Sequence, residues 1–321
     1  MNSPARAPER KISAGKAIRW AGTIIALGLM VWLLSRQGWG EIWEDIQQIG
    51  LPRFLLAIGL LFGSRFMISL RWYALLRGAG EKVSYLSSLK ITYAGLFSNN
   101  FLPSTIGGDV VRLAGAMQAG WDGAVVAASL VIDRLVGMTG MATFFPFALP
   151  TILQYYKTAV LRPKAGLALG MTAAVPSKLQ KGWQKVKQIF RRIWDWTLLW
   201  VRQPKSLVLP FIATFGHMLF TFGMVSVILS GLDENLTFFQ IGGLWVVVYF
   251  ITLIPISIAG LGVQELVIVF AYHTMGGVTE AHSLTLALLF RTLMMLSSLP
   301  GAVFVPGMLN KKKQPPTPSS S

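Results

Sequence analysis

Three observations predict an all-α, polytopic membrane helix bundle. The chain is 53% hydrophobic and only 13% charged, with a mean hydropathy of +0.56. Its apolar runs reach the length that crosses a bilayer. Its lysines and arginines gather beside those runs, as they do in polytopic proteins. Placing the basic connections on one side gives about eight transmembrane segments, two of them interrupted by broken or re-entrant stretches.

The basic leader, residues 1–17, carries Arg6, Arg10, Lys11 and Lys16 and runs into a first span at about Ile18–Leu34. No small-residue cleavage site follows it, which suits a retained helix. An interfacial segment with Trp39, Trp43, Glu41, Glu44 and Asp45 precedes a second span, about Phe54–Leu70, with Arg65 inside it. Arg71, Arg77, Lys82 and Lys90 then read as a cytoplasmic connection. A third span, about Leu86–Leu102, delivers the chain into Asn99-Asn100-Phe101-Leu102-Pro103-Ser104-Thr105-Ile106-Gly107-Gly108-Asp109-Val110-Val111-Arg112. Pro103 cannot donate to a continuing helix, and Gly107-Gly108 frees the backbone. A new helix then starts, with Ser104, Thr105 or Asp109 as its cap. A helix broken in this way beside an acid and a base is how transporters build sites; an ordinary loop between spans has the same spacing.

The apolar run Ala124–Pro150 holds Asp133-Arg134, roughly 15 Å from its start at helical rise. Gly137, Gly140 and Ala142 line it and allow close helix packing. Residues 154–205 form a basic insertion with one acid, Asp195. Within it, 178–202 reads as an amphipathic helix on the membrane surface: Leu179, Trp183, Val186, Phe190 and Ile193 on one face, Lys181, Lys185, Gln188 and Arg192 on another. Spans resume at about Leu207–Leu229 and Phe239–Ile254. Pro255-Ile256-Ser257-Ile258-Ala259-Gly260-Leu261-Gly262-Val263-Gln264-Glu265 follows, then a short apolar piece to Met275 and a last span, about Leu284–Val305. Residues 307–321, with Lys311-Lys312-Lys313 and a Pro/Ser end, read as a disordered cytoplasmic tail.

The two broken stretches both order a proline, a serine, glycines and an acid, and they emerge on opposite sides of the membrane. An inverted repeat produces such an echo, and so does ordinary residue usage at span ends. The net charge of +16 points to the anionic leaflet and away from nucleic acid, because it clusters beside spans. The chain has no cysteine, which excludes disulfides and thiol chemistry. His217, His273 and His282 show no metal-ligand spacing, so neither metal nor cofactor is expected.

Arg65, Arg112, Arg134 and Arg291 outnumber Asp109, Asp133 and Glu265 among the ionisable residues of the apolar region. Buried groups of this kind face a polar interior. A cationic surplus there favours an anionic ligand, and arginine forks suit phosphate. Pairing of Asp109 or Asp133 with Arg112 or Arg134 is the structural alternative. The candidate substrate-binding residues are Asn100, Pro103, Ser104, Gly107, Gly108, Asp109, Arg112, Asp133, Arg134, Pro255, Ser257, Gly260, Gly262 and Glu265.

Asn99–Arg112, together with Ala128-Ser129-Leu130-Val131-Ile132-Asp133-Arg134-Leu135-Val136-Gly137, resembles the lysylphosphatidylglycerol synthase transmembrane-region family, also described as flippase-like. Pro255–Glu265 is similar to that family's later glycine-rich element, with Ala259 where glycine is usual and Gln264 where arginine is common. The resemblance covers 18–306, the transmembrane domain. It implies a multi-pass protein of a prokaryotic cell membrane, termini in the cytoplasm, that binds and translocates anionic phospholipid or lipid-linked phosphate. The synthase members carry a soluble aminoacyl-transferase domain after the membrane region; none is present here, so aminoacylation is not expected. Two alternatives remain: a membrane-embedded transferase or hydrolase using Asp109 or Asp133 as base, and a lipid-binding accessory subunit for a separate enzyme. Against the enzyme, no second carboxylate, metal cluster or activated nucleophile stands at motif spacing.

Overall fold

The computed structural model describes residues 39–100, 102, 107–159, 203–254 and 261–309, and every one of its regular elements is helical. In order these are α1 (Trp39–Gly78), α2 (Tyr85–Asn99), α3 (Gly107–Gln118), α4 (Gly123–Ala142), α5 (Phe145–Ala159), α6 (Val208–Gly231), α7 (Phe238–Thr252), α8 (Val263–Val269), α9 (Glu280–Ser298) and α10 (Pro300–Leu309). A 3-10 turn, Pro204–Leu207, leads into α6, and α8 runs on into a π-helical turn, Phe270–Met275.

Helix starts are set by side chains that satisfy exposed backbone donors. Asp122 accepts from Ala124 N and Val125 N at 2.7 and 3.1 Å, and Thr237 forms a reciprocal capping box with Gln240. α1 is kinked where Gly50 takes φ 73° and Pro52 begins the next turn. Beyond the kink α1 lies along α6, with Gly63 against Phe220 and Gly216 against Met67. The main core fills the space between α1, α6, α7, α8 and α9, around Phe222, Met224, Tyr272 and Leu293. Leu51, Leu55 and Leu56 on α1 and Ile212, Phe215 and Leu219 on α6 stay exposed. Such an apolar exterior suits lipid better than water.

The all-α bundle agrees with the sequence; the span count does not. Among the described residues, three helical stretches are long and apolar enough to cross a membrane: Trp43–Gly78, Gly123–Ala142 and Pro204–Gly231. A fourth is gained if α9 and α10, bent by 44° at their junction, count as one span. The expectation of about eight assumed that each apolar run folds as one helix. Instead Ala124–Pro150 divides into α4 and α5, because Pro146 has no N–H for the next helical bond. Leu284–Val305 bends at Pro300 for the same reason. The run 86–102 yields α2 of only 15 residues, and 239–254 yields α7 of 15. Each is about 22 Å long, short of a ~30 Å hydrocarbon layer.

Two boundaries also move. Arg71 and Arg77, read as connection, lie inside α1, and Gln154, read as the start of the basic insertion, lies inside α5. Residues 307–309, read as the start of the tail, lie inside α10; the leader, the first span, the surface segment 178–202 and residues 310–321 fall outside the described residues.

Candidate functional site

The first broken stretch becomes a hairpin of α2 and α3 whose helices touch backbone to backbone. A Cβ on Gly108 would sit 2.7 Å from the Gly95 carbonyl oxygen, and one on Gly95 2.7 Å from Arg112 Cγ. Gly108 is therefore needed for close approach. Of the caps the sequence offers for α3, Ser104 and Thr105 fall outside the described residues, and Asp109 lies within the first turn of the helix. Asn99, at the end of α2, accepts from Gly108 N at 3.4 Å. Its neighbour Asn100 donates to Ser298 Oγ at 2.7 Å and so ties the hairpin to the end of α9. Pro103 and Ser104 fall outside the described residues.

From this hairpin a ladder of charges crosses three helices. Asp133 on α4 is 3% exposed and accepts from Arg71 Nε at 2.6 Å and Arg112 Nη1 at 3.1 Å. Arg112 Nη1 also meets Asp109 Oδ1 at 3.1 Å, and Asp109 Oδ2 binds Arg134 Nη2 at 2.6 Å. Three arginines and two aspartates alternate, which leaves one positive charge in excess. Gly137 opens the room for Arg71, whose Nη1 lies 3.0 Å from where a Cβ would be. The Arg112 guanidinium stacks 4.3 Å from the Trp72 ring, and its Nε and Nη2 are buried without a hydrogen-bond partner. Removing ions from water at this depth is costly, and alternation is what offsets the cost.

Beside the ladder runs a groove of about 340 Å³, lined by Val110, Leu113, Ala127, Leu130 and Val131 together with Asp109 and Arg134. Its lining is mostly apolar and includes the Asp109–Arg134 ion pair.

Among the described residues, the second broken stretch does not join this ladder. Gly262 takes φ 76°, a left-handed conformation suited to glycine, just before α8. Glu265, 3% exposed, forms an ion pair with Arg291, Oε1 to Nε 3.2 Å, and Gln264 Oε1 accepts from Arg291 Nη1 at 3.2 Å. The carboxylate's other oxygen, Oε2, is buried with no partner. Pro255, Ser257 and Gly260 fall outside the described residues. Of the sequence candidates, the structure thus unites Gly108, Asp109, Arg112, Asp133 and Arg134 in one cluster and leaves Glu265 and Gly262 in another.

A third polar group sits at the connections. His282 Nδ1 meets Glu234 Oε1 at 2.7 Å, Thr279 N donates to the same oxygen at 3.1 Å, and Thr285 donates to Asp45 at 2.7 Å. Burial alone would raise the Glu234 pKa. The hydrogen bonds from His282 and Thr279 outweigh it and hold this carboxyl below its ordinary value.

The sequence profile described as "lysylphosphatidylglycerol synthase TM region" matches residues 19–301. The chain belongs to this family. It is accordingly a multi-pass membrane protein of the flippase-like type. It is also similar to a UPF0104 membrane protein of Archaeoglobus fulgidus, 22% identical over 258 residues, which cover 72% of this chain and 79% of that one. A UPF0104 membrane protein of Pyrococcus horikoshii is 25% identical over 155 residues, 47% of this chain and 45% of the relative.

Within this flippase-like chain, two arginines carry more than the sequence assigned them. Arg71 was read as a loop charge and is instead the second partner of Asp133. Arg65, known from sequence only as an intramembrane cation, lines an interior cavity. An arginine next to Trp72 at the end of an apolar helix was the available sign of the first. Among the described residues no group of three or more His, Cys, Asp or Glu could hold a metal ion.

Proposed function

We propose that the protein binds amphipathic anionic lipids, phospholipid or lipid-linked phosphate, and moves them between leaflets. The observation that carries this reading is the groove beside the ladder: a mostly apolar lining that includes the Asp109–Arg134 ion pair. Acyl chains fit Val110, Leu113 and Leu130, while a phosphate fits beside the excess positive charge of the ladder. Asn100, Gly107 and Gly108 shape the hairpin, and Asp109, Arg112, Asp133 and Arg134 form its charged end. The second element, Pro255, Ser257, Gly260, Gly262 and Glu265, forms the other half-site.

The Lys/Arg surplus of the leader, of residues 154–205 and of the tail sets all three on the cytoplasmic side, with 178–202 lying on the anionic surface. The cysteine-free chain is a clean background for labelling. Cysteines placed at Ser3, Ser177 and Ser319 should resist an impermeant thiol reagent in intact cells.

The functional test is translocation of headgroup-labelled phosphatidylglycerol in proteoliposomes. Ala127→Trp, which fills the groove, should abolish it, while wild type moves phosphatidylglycerol faster than a neutral glycolipid. Binding without movement by wild type would overturn translocation and leave a lipid-binding protein.

A further inference from the structure

Arg65 is 4% exposed inside α1, and among the described residues no carboxylate lies within ion-pairing distance of it. Its contacts are weak for a buried guanidinium: Nε donates to Ser297 Oγ at 3.3 Å and Nη2 to the Met294 sulfur at 2.6 Å. A lone cation at this depth is costly unless something compensates it. The compensation available in a membrane interior is an anion that comes and goes.

The surroundings suit that role. Arg65 lines a cavity of about 200 Å³ between α1, α6, α7, α8 and α9, and among the described residues that line it none is a carboxylate. The other polar groups there complement an anion. Gln264 spends its carbonyl oxygen on Arg291, so its amide N–H groups remain to donate. His217 uses Nδ1 on Ser64 at 2.6 Å, which leaves Nε2. Tyr249 stands at the same wall. The volume is below the ~300–1,000 Å³ of pockets that enclose drug-sized ligands. It suits a headgroup and excludes a whole lipid.

We infer that this cavity is a second, interior anion site, in which Arg65 receives a phosphate group, either that of a lipid headgroup or free phosphate. Nothing in the ladder duplicates it, because every ladder arginine contacts a carboxylate. The lipid source of the phosphate rests on the translocation reading above; the charge and the cavity do not.

The test uses the full-length protein in neutral detergent. Ligands are dihexanoyl-phosphatidylglycerol, inorganic phosphate, and dihexanoylglycerol as the phosphate-free control. Binding is read by native mass spectrometry and folding by the thermal midpoint. Wild type should bind phosphatidylglycerol or phosphate and not the control, and whichever binds identifies the source. Arg65→Lys keeps a charge but loses the fork, and Arg65→Gln loses both. Binding should fall about tenfold in the first and about a hundredfold in the second.

Met294→Glu is the decisive variant, because it places a carboxylate where the sulfur now touches Arg65. It should keep the protein folded by pairing the cation, yet block the anion by occupying its place. A folded Met294→Glu protein that binds both ligands like wild type overturns the site and leaves Arg65 structural. Two further outcomes separate this inference from the translocation reading. Lipid movement that is normal in Met294→Glu but lost in Ala127→Trp overturns the lipid headgroup as the ligand of the interior site and leaves translocation standing. Arg65-dependent phosphate binding by a wild type that moves no lipid supports the site and overturns translocation.

Discussion

The ladder and the cavity are built on the same helix, with Arg71 about 9 Å of helical rise beyond Arg65, yet they treat positive charge in opposite ways. In the ladder each arginine meets a carboxylate and each aspartate meets two arginines. In the cavity one arginine meets a hydroxyl and a thioether. The first arrangement is self-sufficient: it staples α1, α3 and α4 together and would hold without a ligand. The second is incomplete by the physics of burial. The contrast teaches that the most recognisable charges in a membrane sequence need not be those left free to bind.

The sharpest way to break this contrast is at Asp133. Its carboxylate serves Arg71 and Arg112 together, so Asp133→Asn strands Arg71 and leaves Arg112 only its share of Asp109. Losing one side of a buried pair costs about 3–5 kcal/mol, enough to deplete folded protein. Size-exclusion recovery and thermal midpoint should both fall steeply. Adding Arg112→Gln should restore part of the loss, since it removes one of the two cations that Asp133 had neutralised. Normal recovery of the single variant would mean that the ladder is not a staple.

A smaller effect is expected at the hairpin crossing. Gly108→Ala puts a methyl group 2.7 Å from the Gly95 carbonyl oxygen, and overpacking of this kind costs about 1–3 kcal/mol. The helices must separate, and Asp109 and Arg112 move with α3. Stability should drop less than in Asp133→Asn, while lipid translocation drops in proportion to the displaced ladder end. An unchanged midpoint would show that the crossing relaxes freely.

How much of this was legible in the sequence follows from the same physics. The all-α class, the broken stretch at 99–112 and the pairing of Asp109 and Asp133 with arginines could be read, because charge in an apolar run must be answered nearby. The span count could not. Pro146 and Pro300 interrupt apolar runs whose hydropathy stays high across the break, so composition alone joins what the backbone separates. The partnership of Arg71 with Asp133 spans 62 residues, a distance over which a single sequence offers no register. Arg65 was visible as an intramembrane cation, but its lack of a carboxylate is a fact of three dimensions.

Arg134 distinguishes scaffold from site within the ladder. Its side chain is 39% exposed, against 9% for Arg112, so solvent or headgroups already screen it. Exposed pairs are worth about 0–1 kcal/mol, and Arg134→Gln should barely move the midpoint. If the groove's ion pair engages a lipid phosphate, translocation should fall roughly tenfold in the same variant. A fall in stability without a fall in transport would return Arg134 to the scaffold.

The smallest effect is expected away from both regions, at the connection held by Glu234, and it shows what pH can and cannot reach. Hydrogen bonds from His282 and Thr279 hold the Glu234 carboxyl below its ordinary value against the opposing effect of burial. A group whose folded pKa is depressed contributes stability that is fully present above its unfolded pKa. That contribution is lost as pH falls through the folded one. Its window therefore lies at and below the ordinary glutamate range, about pH 4, and it adds nothing to any change between pH 6 and 8. Acidification should protonate Glu234 and loosen the grip on His282 and on Thr279, the residue that caps α9. Hydrogen exchange at the start of α9 should rise there, before exchange rises around Asp133. Glu234→Gln cannot take up a proton, so it should flatten this acid response while leaving neutral-pH exchange slightly raised. If exchange around Asp133 rose first, the ladder would be the acid-labile element. Its mutual compensation would then be weaker than the geometry indicates.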